Sequence, residues 1–390
     1  MATFLLVLGI ILFISLVVIH EWGHFIAARR GGVEVEEFGI FFPPALYKHK
    51  TKRGWIFSFN LLPFGGFVRL KGEHDTDTAK GSFGAATLWV KTKIMAAGVV
   101  MNLIVALALF TALALIGMPK LIDNQYTVKS DTTLVKHEVI VTYVVPHSPA
   151  DKAGLQSTDV LNSIEIPGRS PVSLTDAQTL PSVTKLFAGK HVYLFFERRG
   201  VAHRAETTIN TTKQVAASQK TDNPMGYLGI DDPVDYQLQR STWSAPVVAV
   251  GLSAQITKLT FVGLGHSLAG LGSAIAGAVT GNHQARENGQ TNATSQISGP
   301  VGVYFILKNT TNLGYQYMLL VIAIVSLTLA VMNILPIPAL DGGRLWITLI
   351  ARGLKRPLSP KREEAINLAG FIVLITLIIL ITVVDVKRFV

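Results

Sequence analysis

The chain has 390 residues, 49% of them hydrophobic and only 15% charged, which excludes one large soluble globule and fits a membrane protein carrying a soluble part. It has no cysteine, so disulfides are excluded and any metal has to be held by histidine and carboxylate. The formal charge of +10 lies in two clusters, at 29–93 and 344–362, that flank apolar segments; this is the positive-inside pattern of membrane topology and excludes a nucleic-acid-binding face.

The first predicted element is an uncharged apolar run at 2–19 that ends in His20-Glu21-Trp22-Gly23-His24. It lacks the basic start of a signal peptide, and cleavage there would remove the motif, so a retained helix over 1–28 is expected. On a helix, His20 and His24 share one face, where both can bind one zinc ion, and Glu21 lies beside it to take a proton from water. Nineteen residues precede His20, a rise of about 28 Å, so the motif sits near the far edge of the hydrocarbon. Ionisable groups at that depth are costly and mark function, which points to a zinc hydrolase working inside the bilayer.

Three further segments are long and apolar enough to span: 94–117, 317–335 and 367–384. Between the first two spans, 29–93 reads as a cytoplasmic β region. Strand formers at 33–38 and 55–60 are separated by Pro43-Pro44 and 50–54, and Gly65-Gly66 precedes Phe67-Val68. A plain cytoplasmic loop with surface strands is the alternative. The Gly- and Ala-rich segment 259–280 would put one basic cluster outside if it crossed, so it reads as an interfacial or packed helix. The fold class is thus a polytopic α-helical membrane protein with four transmembrane helices and an extracytoplasmic soluble domain.

That soluble domain spans 124–212, with strands at 139–145, 192–197 and 204–209 and a helix at 174–186. Ser148-Pro149-Ala150-Asp151-Lys152-Ala153-Gly154-Leu155, followed by Asp159-Val160-Leu161, resembles the PDZ domain, with Thr158 where glycine is usual. The resemblance implies a groove that binds extended peptide as an added strand; a PDZ-shaped spacer that only limits access is the alternative. Residues 213–314 read as a linker with interfacial helices and a polar loop at 282–298. The third span with its motif occupies 315–343, a cytoplasmic loop 344–366, and the fourth span and tail 367–390.

Two histidines need a third protein ligand. Glu34, Glu36, Glu37 and His49 are near in sequence. Asp341 is the better candidate: Asn333-Ile334-Leu335-Pro336-Ile337-Pro338-Ala339-Leu340-Asp341-Gly342-Gly343 ends the third span, so Asp341 is expected on irregular backbone at the depth of His20 and His24.

These motifs together resemble the bacterial site-2 protease family, the RseP-type zinc intramembrane metalloproteases. The resemblance implies that His20, His24 and Asp341 bind Zn2+ and that Glu21 is the base. It also implies substrate contacts at Asn333, Asn102, Gly65, Gly66 and Phe67. The implied partners are the lipid bilayer and single-pass membrane proteins clipped beforehand: signal-peptide remnants, anti-sigma factors or pheromone precursors. The implied location is the cell membrane, with the active site near the cytoplasmic side. Three features depart from the family pattern. Val99 stands where proline is frequent after Gly98, Thr328 stands where some relatives carry a second Asn, and one PDZ domain is found rather than two. The rival from another class is a metal-binding membrane scaffold or transporter that recruits a partner through the PDZ domain.

Overall fold

The computed structural model describes residues 2–73, 77–219, 224–231, 233–284, 300–310, 313–354 and 359–389. They form two compact units, Met1–Ala112 with Pro246–Val390, and Leu113–Ala245. The polar loop expected at 282–298 lies outside the described residues from 285 onward.

In the first unit, α1 (Ala2–Arg30) leads into two long strands, β1 (Val35–Lys50) and β2 (Ile56–Leu70), and then α2 (Leu88–Ile116). Among the described residues, five helices are long and apolar enough to cross a membrane: Thr3–Arg30, Leu88–Ile116, Ala245–Ala274, Tyr315–Ile334 and Lys361–Val383. The segment 259–280 belongs to one unbroken helix, Ala245–Thr280, which begins well before it. Val99 leaves α2 continuous over its 29 residues.

In lipid there is little hydrophobic drive between helices, so close approach depends on small side chains. A Cβ on Gly23 would stand 2.6 Å from the Ala97 carbonyl oxygen, and one on Gly31 2.5 Å from Val90 Cγ1. Residue 23 thus faces 97 while 31 faces 90, and α1 and α2 run antiparallel in tight contact. On its other side α1 packs Leu5 and Leu16 against Leu307 of the helix Pro300–Thr310 and Met318 and Ile322 of the helix Tyr315–Ile334.

β1 and β2 pair antiparallel but are sharply bent. Residues 37–40 have neighbours on both sides, 66–69 and 56–59, while 45–50 lie against 56–60. The stretch 66–70 therefore pairs on one side only, and that edge faces the site described below. Val33, Leu70 and Phe83 anchor the sheet on Ala28 of α1, Ile94 and Met95 of α2, and Leu345. Phe42, Leu46, Tyr47, Leu61 and Leu62 remain exposed.

The helix Tyr315–Ile334 stops before Pro336, and Asp341 opens the next helix, Asp341–Gly353. This corrects two expectations: Asp341 is helical, and much of 344–366 is helix, since the final helix starts at Pro360. The irregular stretch is 335–340, where two prolines remove N–H donors and Ala339 takes φ +74°.

The second unit is β-rich. Its main sheet runs β3 (Met118–Pro119), β11 (Val234–Arg240), β4 (Thr133–Ile140), β6 (Val160–Glu165), β8 (His191–Arg198), β9 (Val201–Thr208), with β7 (Val172–Ser173) on β6. A smaller pair joins β5 (Tyr143–Val144) to β10 (Ile230–Asp231). Val139, Leu161, Ile164, Val192, Leu194 and Phe196 form the core with Leu180 of α4 (Leu180–Leu186). The short helix α3 (Pro149–Lys152) is capped by the Ser148 side chain. The segment 213–314, expected as linker, instead adds described elements to this unit. These are α5 (Thr212–Ser218), which opens with a Thr211/Gln214 capping box, as well as β10 and β11. Alternation along Val234-Asp235-Tyr236-Gln237-Leu238 buries Tyr236 and Leu238 in this sheet.

Candidate metal centre

His20 and His24 lie one turn apart on α1, 8% and 9% exposed, with ring centroids 4.9 Å apart. Their Nε2 atoms are 3.2 Å apart, and Asp341 Oδ2 lies 2.8 Å from that of His20 and 3.1 Å from that of His24. Among the described residues these three form the grouping of His and carboxylate donors able to hold a metal ion. Three donors around one zinc at about 2.0–2.1 Å, tetrahedrally disposed, stand about 3.3 Å apart. The observed spacings fit that set with little movement.

The tautomers fit as well. His24 Nδ1 donates to the Ile94 carbonyl at 2.7 Å, which leaves its Nε2 lone pair directed at Asp341 and His20. Asn102 Nδ2 lies 3.2 Å from His20 Nδ1, and Asn102 Oδ1 is buried without a partner. If His20 offers its Nε2 lone pair to an ion, its Nδ1 carries the proton, and turning the Asn102 amide over gives the orphaned Oδ1 a donor. Space for an ion depends on Gly98, where a Cβ would stand 2.5 Å from Nε2 of both histidines. Asp341 and Glu21 make the pocket acidic, which suits a dication.

Asp341 reaches the histidines because the chain after Ile334 folds back tightly. A Cβ on Gly342 would meet the Leu335 carbonyl oxygen at 2.2 Å, and one on Gly343 that of Ile337 at 2.1 Å. Both positions require glycine. Trp346 Nε1 donates to the Ile334 carbonyl at 3.1 Å, and Arg344 donates to the Glu73 carbonyl while facing the carboxylates of Glu73 and Glu363. These contacts hold the start of the helix in place.

Two cavities flank the three donors. One, about 240 Å³, is lined by His20, Glu21, Gly65, Gly66, Asn102, Asn333 and Asp341; the other, about 190 Å³, by Glu21, His24, Gly66, Phe67, Val68 and Asp341 among others. All nine residues singled out from the sequence thus border one place. Val68 lines the same cavity as Glu21, and Gly66 packs beneath Glu21 Cγ, where a Cβ would come within 3.1 Å. Asn102 touches His20 through its side chain and accepts from Ser326 Oγ through its carbonyl at 2.8 Å.

Two of the nearer carboxylates are engaged elsewhere. Glu34 pairs with Lys71, and Glu37 with Lys48 and Arg69. Burial works to raise the Glu37 pKa, but the hydrogen bonds from Ser58 and Lys48 and the two cations hold it below the ordinary carboxylate value. Gly98, the Ile94 carbonyl and the Arg344 clasp were missed from sequence. The four-residue spacing of Gly98 and Asn102, which puts both on one face of α2, was the available signal.

The model of peptidase family M50 matches residues 8–377. The chain belongs to peptidase family M50. It is 27% identical to a Clostridium perfringens protein across 98% of each chain. Identity is 25% to the zinc metalloprotease RasP of Shouchella clausii, covering 97% of this chain and 98% of RasP. It is also 25% to the regulator of sigma-E protease RseP of Escherichia coli, covering 97% of this chain and 96% of RseP. The chain is a zinc-dependent metalloprotease of a membrane family whose members act on membrane-protein substrates. The scaffold and transporter reading falls.

Proposed function

We propose that His20, His24 and Asp341 hold the zinc of this M50 peptidase and that Glu21 is its general base. The scissile bond then lies in a transmembrane segment of a single-pass protein or signal-peptide remnant already clipped by another protease. The observation that carries this reading is the convergence of Asp341 Oδ2, 317 residues away in sequence, on His24 Nε2 at 3.1 Å, beside Glu21. Bound there, zinc supplies a Lewis acid that polarises a carbonyl and makes an attacking water acidic near neutral pH. Glu21 accepts the proton of that water and returns it to the leaving amine. The Ile94 carbonyl and Asn102 keep the imidazoles oriented, and Asn102 acts through His20.

A transmembrane helix hides its backbone in its own hydrogen bonds, so it has to unwind before it can be cut. The one-sided edge at 66–70 offers replacement bonds by strand addition, with Gly65, Gly66 and Phe67 bordering the cavities and Asn333 presenting an amide to the substrate. This favours substrates with helix-weakening residues.

Basic clusters on the cytoplasmic side need an even number of crossings between them, which α2 and the helix Tyr315–Ile334 supply. The protein then crosses the cell membrane four times, with the helix Ala245–Thr280 outside that count and the site near the cytoplasmic side. The unit Leu113–Ala245 is read as one extracytoplasmic PDZ domain that keeps unclipped substrates out. Alignments to RasP and RseP run over 460 and 467 positions, so those relatives carry residues that this chain lacks, in keeping with a single copy here.

The test is zinc content after purification of His20→Ala, His24→Ala, Asp341→Ala and the control Glu37→Gln. Loss in the first three with retention in the control is expected. Full zinc in folded Asp341→Ala would sink the assignment of the third ligand.

A further inference from the structure

On the side of the α1–α2 contact away from the three donors lies a cavity of about 620 Å³. Its floor is small and apolar, with Gly23 and Ala27 on α1, Gly31 just after it, and Ala96, Ala97 and Val100 on α2. Its mouth is different. Arg30 and Lys93 line it together with Trp89 and Thr92, at the polar ends of the two apolar helices. Trp89 is 66% exposed, and Lys93 Nζ stands 4.9 Å from its ring centroid. Neither Arg30 nor Lys93 has an ion pair among the described residues, whereas the neighbouring Arg29 leans over Phe25. From Trp89 to Met101 the groove follows twelve residues of α2, about 18 Å of depth into the hydrocarbon.

An apolar slot of that depth, opening under two cations with no ion pair among the described residues and an interfacial tryptophan, matches one amphiphile in both halves. We propose that this groove is a binding site for an anionic phospholipid, its phosphate between Arg30 and Lys93 and one acyl chain along Gly23, Ala27, Ala97 and Val100. The favourable N-terminal end of α2 lies at the same level and adds to the attraction. A zwitterionic lipid fits the slot equally but leaves the second charge unanswered, and a transmembrane substrate fills the slot without supplying a phosphate. Gly23 lies between His20 and His24 in sequence, so the occupant braces the helix pair that carries both histidines and Gly98. The proposal stands independently of the ligand assignments above, because its readout is lipid binding.

The experiment uses the full chain in vesicles of phosphatidylcholine, with dibrominated phosphatidylglycerol or dibrominated phosphatidylcholine at equal mole fraction. Tryptophan quenching is read in the wild type and in Trp89→Phe, so that the Trp89 share is obtained by difference. Two basic side chains near the surface correspond to roughly thirtyfold enrichment of the anionic lipid over the zwitterionic one. The Arg30→Gln/Lys93→Gln variant should bring that ratio close to one, and Val100→Phe, which fills the slot and leaves the cations, should lower the Trp89 quenching by both lipids. Circular dichroism identifies folded variants. Equal quenching by the two brominated lipids in the wild type overturns the proposal, as does a preference that survives in the folded double variant. Displacement of the brominated phosphatidylglycerol by a transmembrane substrate peptide also overturns it and makes the groove a substrate seat. Displacement by free glycerol phosphate reduces it to a phosphate site.

Discussion

Gly98→Ala adds a single methyl group, and its consequence can be worked from the structure. The new Cβ would stand 2.5 Å from His20 Nε2 and from His24 Nε2. Ordinary contact begins near 3.5 Å, so the imidazoles and α2 have to separate by about 1 Å. Neither side yields easily: His24 is tied to the Ile94 carbonyl, His20 to Asn102, and the helices are already in contact where Gly23 meets Ala97. Displacements of this size cost about 100-fold in rate, and disturbed orientation of metal ligands costs about 10- to 100-fold in affinity. Alanine favours the helix over glycine by about 1 kcal/mol, which offsets part of the about 1–3 kcal/mol that forcing the packed groups apart costs. Chelator competition for zinc, cleavage of a reporter transmembrane peptide and thermal unfolding separate these effects. Zinc affinity and rate should fall together while the helix content of the zinc-free protein holds and its melting temperature falls only modestly. Unchanged zinc affinity in Gly98→Ala would refute the placement of the ion between the two Nε2 atoms.

Asn102→Leu should weaken zinc binding about tenfold, with Asn102→Asp restoring most of it because a carboxylate still accepts from His20 Nδ1; chelator titration decides. Asp159 is 1% exposed and takes a bidentate bond from Arg198, 2.8 and 2.7 Å. Arg198→Met strands that buried carboxylate and should destabilise the second unit by about 3 kcal/mol in urea unfolding, whereas Glu206→Gln on the surface should change little. In the same unit Ser244 and Thr242 donate to Asp131 and hold its pKa below the ordinary carboxylate value. A carboxylate depressed in the folded state stabilises above its unfolded pKa of about 4, and that contribution fades as the pH drops further. The acid-unfolding midpoint should therefore move upward in Asp131→Asn, and an unmoved midpoint would contradict the role of those hydrogen bonds.

The parts of the site legible in the sequence were those that depend on period and depth. Two histidines four apart share a helix face wherever the helix lies, and counting residues from either end put Asp341 at the same level. The backbone that carries Asp341 was misread, because Gly342-Gly343 after two prolines look like a loop. In the fold those glycines open a helix, since any Cβ would collide with the carbonyls of Leu335 or Ile337. Gly98 was unreadable for a related reason: its value is the absence of an atom against residues 74 and 78 positions away. Residues 234–240 carried a clear strand alternation, but the run of polar and small residues at 214–223 disguised the continuation of the sheet. The helix Ala245–Thr280 shows that glycine within an apolar segment does not end a helix.

The most direct measurement is cleavage of a reporter transmembrane peptide by the wild type and Glu21→Gln side by side in detergent, with bound zinc quantified in both. The expected result is cutting by the wild type alone and equal zinc in the two proteins, which separates holding the ion from moving the proton. Cleavage by Glu21→Gln at the wild-type rate would contradict the assigned base and, with it, the mechanism built on this site.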